Sequence, residues 1–170
     1  MRNNNQLEAL PGVIYKRIGS AESKGFEAEI NGSLAAGLDL TAGYTFSNAK
    51  YLPYASSEVN TVAGKQVSFA PKNMVNVWLN YELQASVFKG LSVGGGANYM
   101  DETFTNSDNS YVMPAYTLVD AALGYRVGRV GLRLNINNIL NEKYYANAIY
   151  ANQFSPGTTR NFLLSLKYSL

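Results

Sequence analysis

Cysteine and histidine are both absent from this chain of 170 residues. The sequence therefore offers no disulfide, no thiolate nucleophile, no imidazole for acid–base catalysis and no cysteine or histidine ligand for a metal. We accordingly expect neither an enzyme nor a protein with a resident cofactor. The charge is also small, because 14 Lys and Arg against 12 Asp and Glu leave a net charge of +2. Nucleic-acid-binding proteins carry a strongly basic face, so we expect no nucleic-acid partner.

Charged residues make up only 15% of the chain, below the roughly 25% of soluble domains. Apolar residues make up 46%, and tyrosine is the commonest aromatic residue, with 13 copies. This composition suits a surface that meets lipid headgroups, and equally a tyrosine-rich binding face. No apolar run is long enough for a transmembrane helix, and the polar N-terminus lacks the apolar centre of a signal peptide. We expect residues 1–12 to be a flexible segment.

Alternation of apolar and polar residues with a period of two is the dominant pattern. The clearest case alternates small or polar residues with Val130, Leu132, Leu134 and Ile136. The C-terminal segment does the same, further segments follow between residues 26 and 126, and a weaker one covers residues 13–18. The pattern predicts about eight consecutive antiparallel strands over residues 13–170.

The connections between these strands alternate in length. The short ones are residues 33–37, 84–90 and 127–129, and the long, polar, tyrosine-rich ones are residues 47–71, 102–114 and 141–157. Short turns at one end and long loops at the other are typical of transmembrane β-barrels. Most strands are predicted at about 10 to 13 residues, enough to cross a bilayer at a tilt. We therefore predict an all-β fold, an antiparallel transmembrane β-barrel.

Periodicity alone does not say whether the apolar face meets lipid or the core of a soluble sandwich. The polar face holds few Lys and Glu residues, unlike a solvated surface. Three successive glycines, Gly94 to Gly96, are costly in a half-buried soluble strand. Aromatic residues recur on the apolar face near strand ends, where they are predicted to form girdles at the membrane interfaces. These are Tyr44, Phe46, Tyr81, Tyr99, Tyr125 and Tyr168.

Six ordered segments together resemble the C-terminal part of the barrel of TonB-dependent outer-membrane receptors, most closely siderophore receptors. They are YKRIGSAESKGFEAEING (15–32), LDLTAGYTFSNAKY (38–51), GKQVSFAPKNMVNVWLNYEL (64–83), MPAYTLVDAALGYRV (113–127), LRLNINNILNEKYY (132–145) and SPGTTRNFLLSLKYSL (155–170). The resemblance implies the last part of a larger barrel, of about twenty-two strands around a plug. Nothing in this chain resembles the plug or the motif that contacts TonB.

The resemblance also implies the function, which is uptake of ferric siderophores across the outer membrane. This chain would contribute barrel wall and extracellular loops, and iron would enter only as chelated substrate. Its partners would be outer-membrane lipid, the ferric siderophore, the remaining barrel and plug, and TonB through that plug. Aromatic residues in the long loops are the candidate ligand contacts, although each could equally be a loop-packing residue. They are Tyr51, Tyr54, Phe104, Tyr111, Tyr150 and Phe154.

Charged residues on the polar face are expected to border a watery lumen, where they pair across strands or contact the plug of a complete receptor. They are Glu27, Glu29, Asp39, Glu82, Asp120, Arg126, Arg133 and Lys167. Two alternatives stay open. Eight strands are the number of the smallest membrane barrels, so the chain could close on itself as an anchor or narrow pore. A soluble ligand-binding β module is the other, and the aromatic girdles disfavour it.

Overall fold

The computed structural model describes residues 2–10, 14–53 and 62–170, with side chains from residue 20 onward. Its strands are β1 (Arg2–Leu10), β2 (Ile14–Ala35), β3 (Leu38–Tyr51), β4 (Asn73–Glu82), β5 (Leu91–Met100), β6 (Thr103–Phe104), β7 (Val112–Met113), β8 (Tyr116–Val127), β9 (Val130–Asn137), β10 (Tyr145–Tyr150), β11 (Gln153–Pro156) and β12 (Asn161–Tyr168). A 3₁₀ turn covers Ser86–Phe88. No helix within the described ranges has both the length and the apolar character needed to span a membrane.

Eight strands form one antiparallel sheet in the order β1-β2-β3-β4-β5-β8-β9-β12. Each strand therefore pairs with the next large strand along the chain, as in an up-and-down meander. The remaining strands form two small hairpins, β6–β7 and β10–β11, inside the long loops. The predicted all-β antiparallel architecture is confirmed.

The strand register keeps the apolar residues on one face of the sheet. Along one row, Tyr44 lies opposite Val75, which lies opposite Tyr99. Further along the sheet, Leu134 lies between Leu123 and Leu164. Because side chains alternate along a strand, a slip of one residue would send each apolar side chain to the polar face. The sheet thus has a continuous apolar face and a continuous polar face.

The apolar face is uncovered. Leu123 is 47% exposed, Leu132 is 43% exposed and Leu164 is 69% exposed. Within the described residues, the buried apolar cluster is a small one of Ala21, Tyr51 and Val62, at the long-loop end rather than beneath the sheet. A soluble sandwich would bury these leucines against a second sheet. The exposed face is instead what a barrel wall presents to lipid.

The polar face is the concave one. A concavity of about 910 Å³ is lined by residues of five strands, β4, β5, β8, β9 and β12, among them Asn80, Ser92 and Arg133. A second concavity, of about 340 Å³, has Glu27 and Glu29 in its lining. Side chains from distant strands share one hollow because the sheet curls toward its polar side. This curvature is the one expected of a wall that encloses an aqueous lumen.

The N-terminus differs from the sequence expectation. Residues 1–12 are predicted to be flexible, yet Arg2–Leu10 form β1 and pair with the 22-residue strand β2. This asparagine-rich segment carries little apolar alternation, so the pattern does not reveal a strand. Backbone hydrogen bonds to β2 define it instead, with an irregular register between Asn3 and Leu7. The main sheet therefore includes Arg2–Leu10 as its first strand.

The sheet does not close on itself. β1 and β12 are its two outer strands, and no pairing joins them in the described residues. A self-contained eight-stranded barrel needs that pairing, so this alternative is wrong for the arrangement observed. The two free edges are instead compatible with continuation of the sheet in a larger barrel.

Candidate ligand-binding loops and membrane-facing surface

The three long loops lie together at one end of the sheet. We call them loop A (residues 52–72), loop B (101–115) and loop C (138–160). Residues 54–61 of loop A lie outside the described residues. Loop A returns along the end of β3, where the Tyr51 amide donates to the Lys65 carbonyl at 2.9 Å. The Val67 amide donates to the Ala49 carbonyl at 3.0 Å, which ties loop A to the sheet.

Hydrogen bonds join the loops to one another. The Asn109 side chain of loop B accepts from the Gln66 amide at 2.8 Å and donates to the Gln66 carbonyl at 2.9 Å. The Asn109 side chain therefore forms with the Gln66 backbone the pair of hydrogen bonds that a neighbouring β-strand would form. The Thr105 hydroxyl of loop B donates to the Ala151 carbonyl of loop C at 2.5 Å. Loops A, B and C thus form one connected layer over the end of the sheet.

Loop C is fixed at its start by Asn138. This residue is 3% exposed and has φ of +53°, a left-handed conformation that asparagine tolerates better than most residues. Its amide donates to the Asp120 carboxylate at 2.8 Å, and its side chain exchanges hydrogen bonds with the backbone of Glu142. The loop leaves β9 in a defined direction as a result.

Two of the predicted ligand contacts present exposed rings on this layer. Tyr111 in loop B is 42% exposed and Tyr150 in loop C is 67% exposed. Phe104 and Phe154 are half-buried. The Phe154 ring packs against Tyr145 with centroids 5.0 Å apart. The two tyrosine rings are therefore exposed at the surface of the loop layer, whereas the two phenylalanine rings are partly covered.

The other two predicted contacts have different surroundings. Tyr51 is 4% exposed and packs with Ala21 and Val62. Its hydroxyl lies 3.4 Å from the Ser68 hydroxyl, so its place in the structure is beneath loop A. Tyr54 lies outside the described residues.

Phe69 of loop A is a candidate that the sequence reasoning missed. It is 47% exposed and has φ of +59°, and its amide donates to the Phe104 carbonyl at 2.8 Å. A left-handed backbone is unfavourable for a bulky residue and often marks a functional position. No local pattern in the sequence predicts a positive φ at a phenylalanine.

The predicted interface aromatics include two tyrosines that share a polar network at the long-loop end. The Tyr44 hydroxyl donates to the Asn73 side chain at 2.8 Å, and Asn73 donates to Asp101 at 2.7 Å. The Tyr99 hydroxyl donates to the other Asp101 oxygen at 2.8 Å. Their rings lie on the apolar face while their hydroxyls reach the polar rim, which is the arrangement an interfacial tyrosine needs.

Asp101 holds this network together. Burial by itself would raise the pKa of its carboxyl group, but hydrogen bonds from Asn73 and Tyr99 and from backbone amides favour the charged form. Together they hold the pKa of Asp101 below its ordinary value. The Asp101 carboxylate is therefore charged at every pH at which an unperturbed aspartate would be charged.

The remaining interface aromatics divide between the two ends of the sheet. Phe46 lies at the long-loop end, with its ring 5.9 Å from that of Phe26. Tyr81, Tyr125 and Tyr168 lie near the short-turn end, and all three are exposed on the apolar face. Aromatic residues thus border the apolar face at both ends, as predicted girdles would.

The chain's one tryptophan, Trp78, lies on the polar face above two glycines of β5. A Cβ added at Gly94 would lie 2.8 Å from the indole, and one at Gly96 would lie 2.6 Å from it. Two of the three glycines that are costly in a soluble strand, Gly94 and Gly96, therefore make room for this ring. Within the described residues, no group of three or more acidic side chains is arranged to hold a metal ion.

An open, curled antiparallel sheet with a bare apolar outer face, a polar inner face and aromatics at both ends is a section of a transmembrane β-barrel wall. A family model described as "TonB dependent receptor-like, beta-barrel" matches residues 1–139. The chain belongs to that family. The resemblance read from the sequence and the location in the outer membrane are thereby confirmed.

Curated relatives and solved structures agree with this. The chain is 34% identical over 141 residues to the ferrioxamine B receptor of Salmonella typhimurium, covering 80% of this chain and 20% of the relative. It is 31% identical over 153 residues to the ferrichrome outer membrane transporter/phage receptor of Escherichia coli, covering 86% of this chain and 20% of the relative. The structure of the siderophore receptor PiuA from Acinetobacter baumannii matches with a TM-score of 0.80 and 25% identity, covering 98% of this chain and 25% of that one.

The chain spans only a fifth to a quarter of the length of these proteins. The matched region is barrel wall, in a family of receptors.

Proposed function

We propose that this chain is part of the wall of an outer-membrane receptor that takes up ferric siderophores, and that loops A, B and C contribute to its binding vestibule. The joined layer of loops, with exposed tyrosine rings at one end of a membrane-facing sheet, carries this proposal. Tyrosine combines a flat apolar ring with a hydroxyl, which suits an iron chelate of mixed polarity. The names of several relatives, which are ferrioxamine, ferrichrome and ferripyoverdine receptors, support the substrate class.

Within this proposal the aromatic residues have different roles. Tyr111 and Tyr150 contact the chelate, and Phe69, Phe104 and Phe154 border it. Tyr51 and its hydroxyl contact to Ser68 hold loop A in place from below. Tyr54 stays a predicted contact. The remaining barrel, a plug, and TonB acting through that plug complete the transport cycle, and the iron passes as cargo with no catalysis by this chain.

The direct test is the loss of siderophore affinity in Tyr111→Ala and Tyr150→Ala. We expect each to weaken binding of the preferred ferric siderophore, chosen from ferrioxamine B, ferrichrome and ferripyoverdine, by about tenfold, because a stacked aromatic contact contributes on the order of 1 kcal/mol or more. Binding is measured by fluorescence titration on the protein extracted from outer membranes. Tyr168→Ala, an exposed tyrosine at the opposite end, is the matched control. Unchanged affinity in both loop variants would remove the vestibule role of these loops.

A further inference from the structure

The hairpin β10–β11 in loop C has little packing of its own. Among residues 145–156, all of which the structure describes, only Ala148 is buried, and Tyr150 near the turn is 67% exposed. The rings of Tyr145 and Phe154 pack against each other inside the hairpin. Because an isolated two-stranded hairpin is at best marginally stable in water, its position depends on contacts with the rest of the protein.

Tyr144, the residue before β10, lies across the base of this hairpin. The Gly157 amide, just after β11, donates to the Tyr144 carbonyl at 2.8 Å and so closes the hairpin. A Cβ added at Gly157 would overlap the Cζ, Cε1 and Cε2 atoms of Tyr144, so the phenol ring lies directly against the glycine backbone. Gly157 does not have a positive φ. The space needed by the ring, rather than the backbone conformation, therefore explains a glycine at this position.

The same ring also packs against the barrel wall. The centroid of the Tyr144 ring lies 4.5 Å from that of Tyr116, with 39° between the ring planes. Tyr116 begins β8 and shares the polar face of the sheet with Asp120, because side chains alternate along a strand. The Tyr116 hydroxyl donates to the sulfur of Met100 on β5 at 3.4 Å. Two neighbouring strands of the wall therefore hold the ring on which Tyr144 packs.

Other contacts of loop C act at different points. The Asn138 side chain donates to the Thr158 carbonyl at 3.2 Å, which brings the two ends of the loop together outside the hairpin. Near the hairpin turn, the Thr105 hydroxyl donates to the Ala151 carbonyl and links the turn to loop B. The aromatic stack is the contact that joins the base of the hairpin to β8.

We propose that Tyr144 is a positioning residue for ligand binding. Held between Gly157 and Tyr116, its ring anchors the β10–β11 hairpin to the lumen side of the wall. The hairpin in turn places Tyr150, the proposed ligand contact, in the vestibule. Tyr144 thus acts through the hairpin and does not itself touch the chelate. This inference rests on the proposed function, because the placement of Tyr150 affects uptake only if loop C borders the chelate.

Amide hydrogen exchange, measured by mass spectrometry on the protein extracted from outer membranes in detergent, tests the anchor. We expect Tyr144→Ala to speed exchange in residues 145–156 by about tenfold and to leave β9 and β12 unchanged, because the hairpin opens more often without its aromatic contact. Tyr144→Phe keeps the ring and should exchange like the parent. Gly157→Ala, whose Cβ displaces the ring, should behave like Tyr144→Ala.

Tyr168→Ala, which removes an exposed tyrosine at the opposite end of the sheet, is the matched control and should leave exchange in the hairpin unchanged. The anchor is refuted if exchange in Tyr144→Ala is as slow as in the parent. It is also refuted if Tyr144→Phe exchanges as fast as Tyr144→Ala, since the ring would then contribute nothing.

Siderophore affinity tests whether Tyr144 acts through the hairpin. The probe is whichever of ferrioxamine B, ferrichrome and ferripyoverdine the parent protein binds best, in a fluorescence titration. We expect Tyr144→Ala to weaken binding by about tenfold. The double variant Tyr144→Ala/Tyr150→Ala should bind no more weakly than Tyr144→Ala, because the Tyr150 contact is already lost.

The positioning role is overturned if the losses of the two single variants add, or if Tyr150→Ala weakens binding and Tyr144→Ala does not. Unchanged affinity in all of these variants would remove the vestibule role of loop C, and the positioning role with it. Unchanged exchange in Tyr144→Ala would remove the anchor and leave the uptake proposal standing, so the two failures are distinguishable.

Discussion

The fluorescence of Trp78 can be used to test which face of the sheet meets water. Its indole lies on the polar face over Gly94 and Gly96, while the next residue, Leu79, is 42% exposed on the apolar face. In lipid vesicles we expect acrylamide to quench Trp78 fluorescence and brominated lipids to have little effect.

The matched control for this experiment places the indole on the other face. A Trp78→Phe/Leu79→Trp variant moves the fluorophore by one residue and, because strand side chains alternate, across the sheet. Brominated lipid should quench this variant strongly. Efficient lipid quenching of the parent Trp78 would contradict the assignment of the polar face to the lumen.

The glycines of β5 provide a stability test at the same scale. A Cβ added at Gly96 would lie 2.2 Å from the Val77 carbonyl oxygen, whereas one at Gly95 finds its nearest atom at 3.6 Å. We expect Gly96→Ala to lower the free energy of unfolding by about 1–3 kcal/mol through overpacking. Gly95→Ala, on the apolar face, should change it little. Urea unfolding in detergent, followed by circular dichroism, separates the two, and equal effects would refute this explanation.

Asp101 makes the long-loop end sensitive to acid. Its folded pKa lies below the unfolded value, so the unfolded chain takes up a proton first as pH falls. The stabilisation is fully present above the unfolded pKa, near pH 4, and is lost as pH falls through the folded pKa. Between pH 6 and pH 2, we expect the thermal midpoint of Asp101→Asn to fall less steeply with decreasing pH than that of the parent. An identical pH dependence in parent and variant would show that the network contributes nothing.

Elements differ in how far the sequence determines them. The strands from Leu38 onward that belong to the main sheet follow from alternation, because each has one lipid-facing and one lumen-facing side. β1 lacks this alternation, and its position is determined by backbone hydrogen bonds to β2. The hairpins β6–β7 and β10–β11 are equally hidden, since they lie in polar loops where no buried face imposes a period.

The loop layer illustrates the same limit for the candidate site. Aromatic residues in long loops could be selected from the sequence, yet their exposure could not. Tyr51 and Tyr111 look alike in the sequence, but Tyr51 lies beneath loop A because Val62, eleven residues on, returns to cover it. The clasp between Gln66 and Asn109 joins residues 43 positions apart, and no local pattern encodes such a contact.

That clasp should control the order of loops A and B. We expect Asn109→Ala to speed amide hydrogen exchange at Gln66 and its neighbours by several-fold, because the Gln66 amide loses its acceptor. Asn152→Ala, an exposed asparagine in the β10–β11 turn, is the control. If exchange at Gln66 is as slow in Asn109→Ala as in the parent, the two loops are held together by other contacts.

At the scale of the whole molecule, the bare apolar face decides behaviour in solution. The inner-strand residues Leu79, Leu123 and Leu132 are 42–47% exposed, and Leu164 and Leu166 on the outer strand β12 are 69–71% exposed. We expect the protein to fractionate with outer membranes and to require detergent for extraction, since such a surface and free strand edge self-associate in water. Recovery as a monomer from a detergent-free lysate, judged by sedimentation velocity, would refute the membrane assignment.

The charges of the concave side are not distributed evenly around it. Glu27 and Glu29 line the smaller hollow on β2, whereas Arg126, Arg133 and Lys167 surround the larger one on β8, β9 and β12. The lining of the smaller hollow therefore carries acidic side chains, whereas that of the larger one is mainly basic, with Glu82 as its carboxylate. A dipolar molecule moving past this wall would have a preferred orientation about the barrel axis. Its interaction energy would then depend on that orientation as well as on its depth in the lumen.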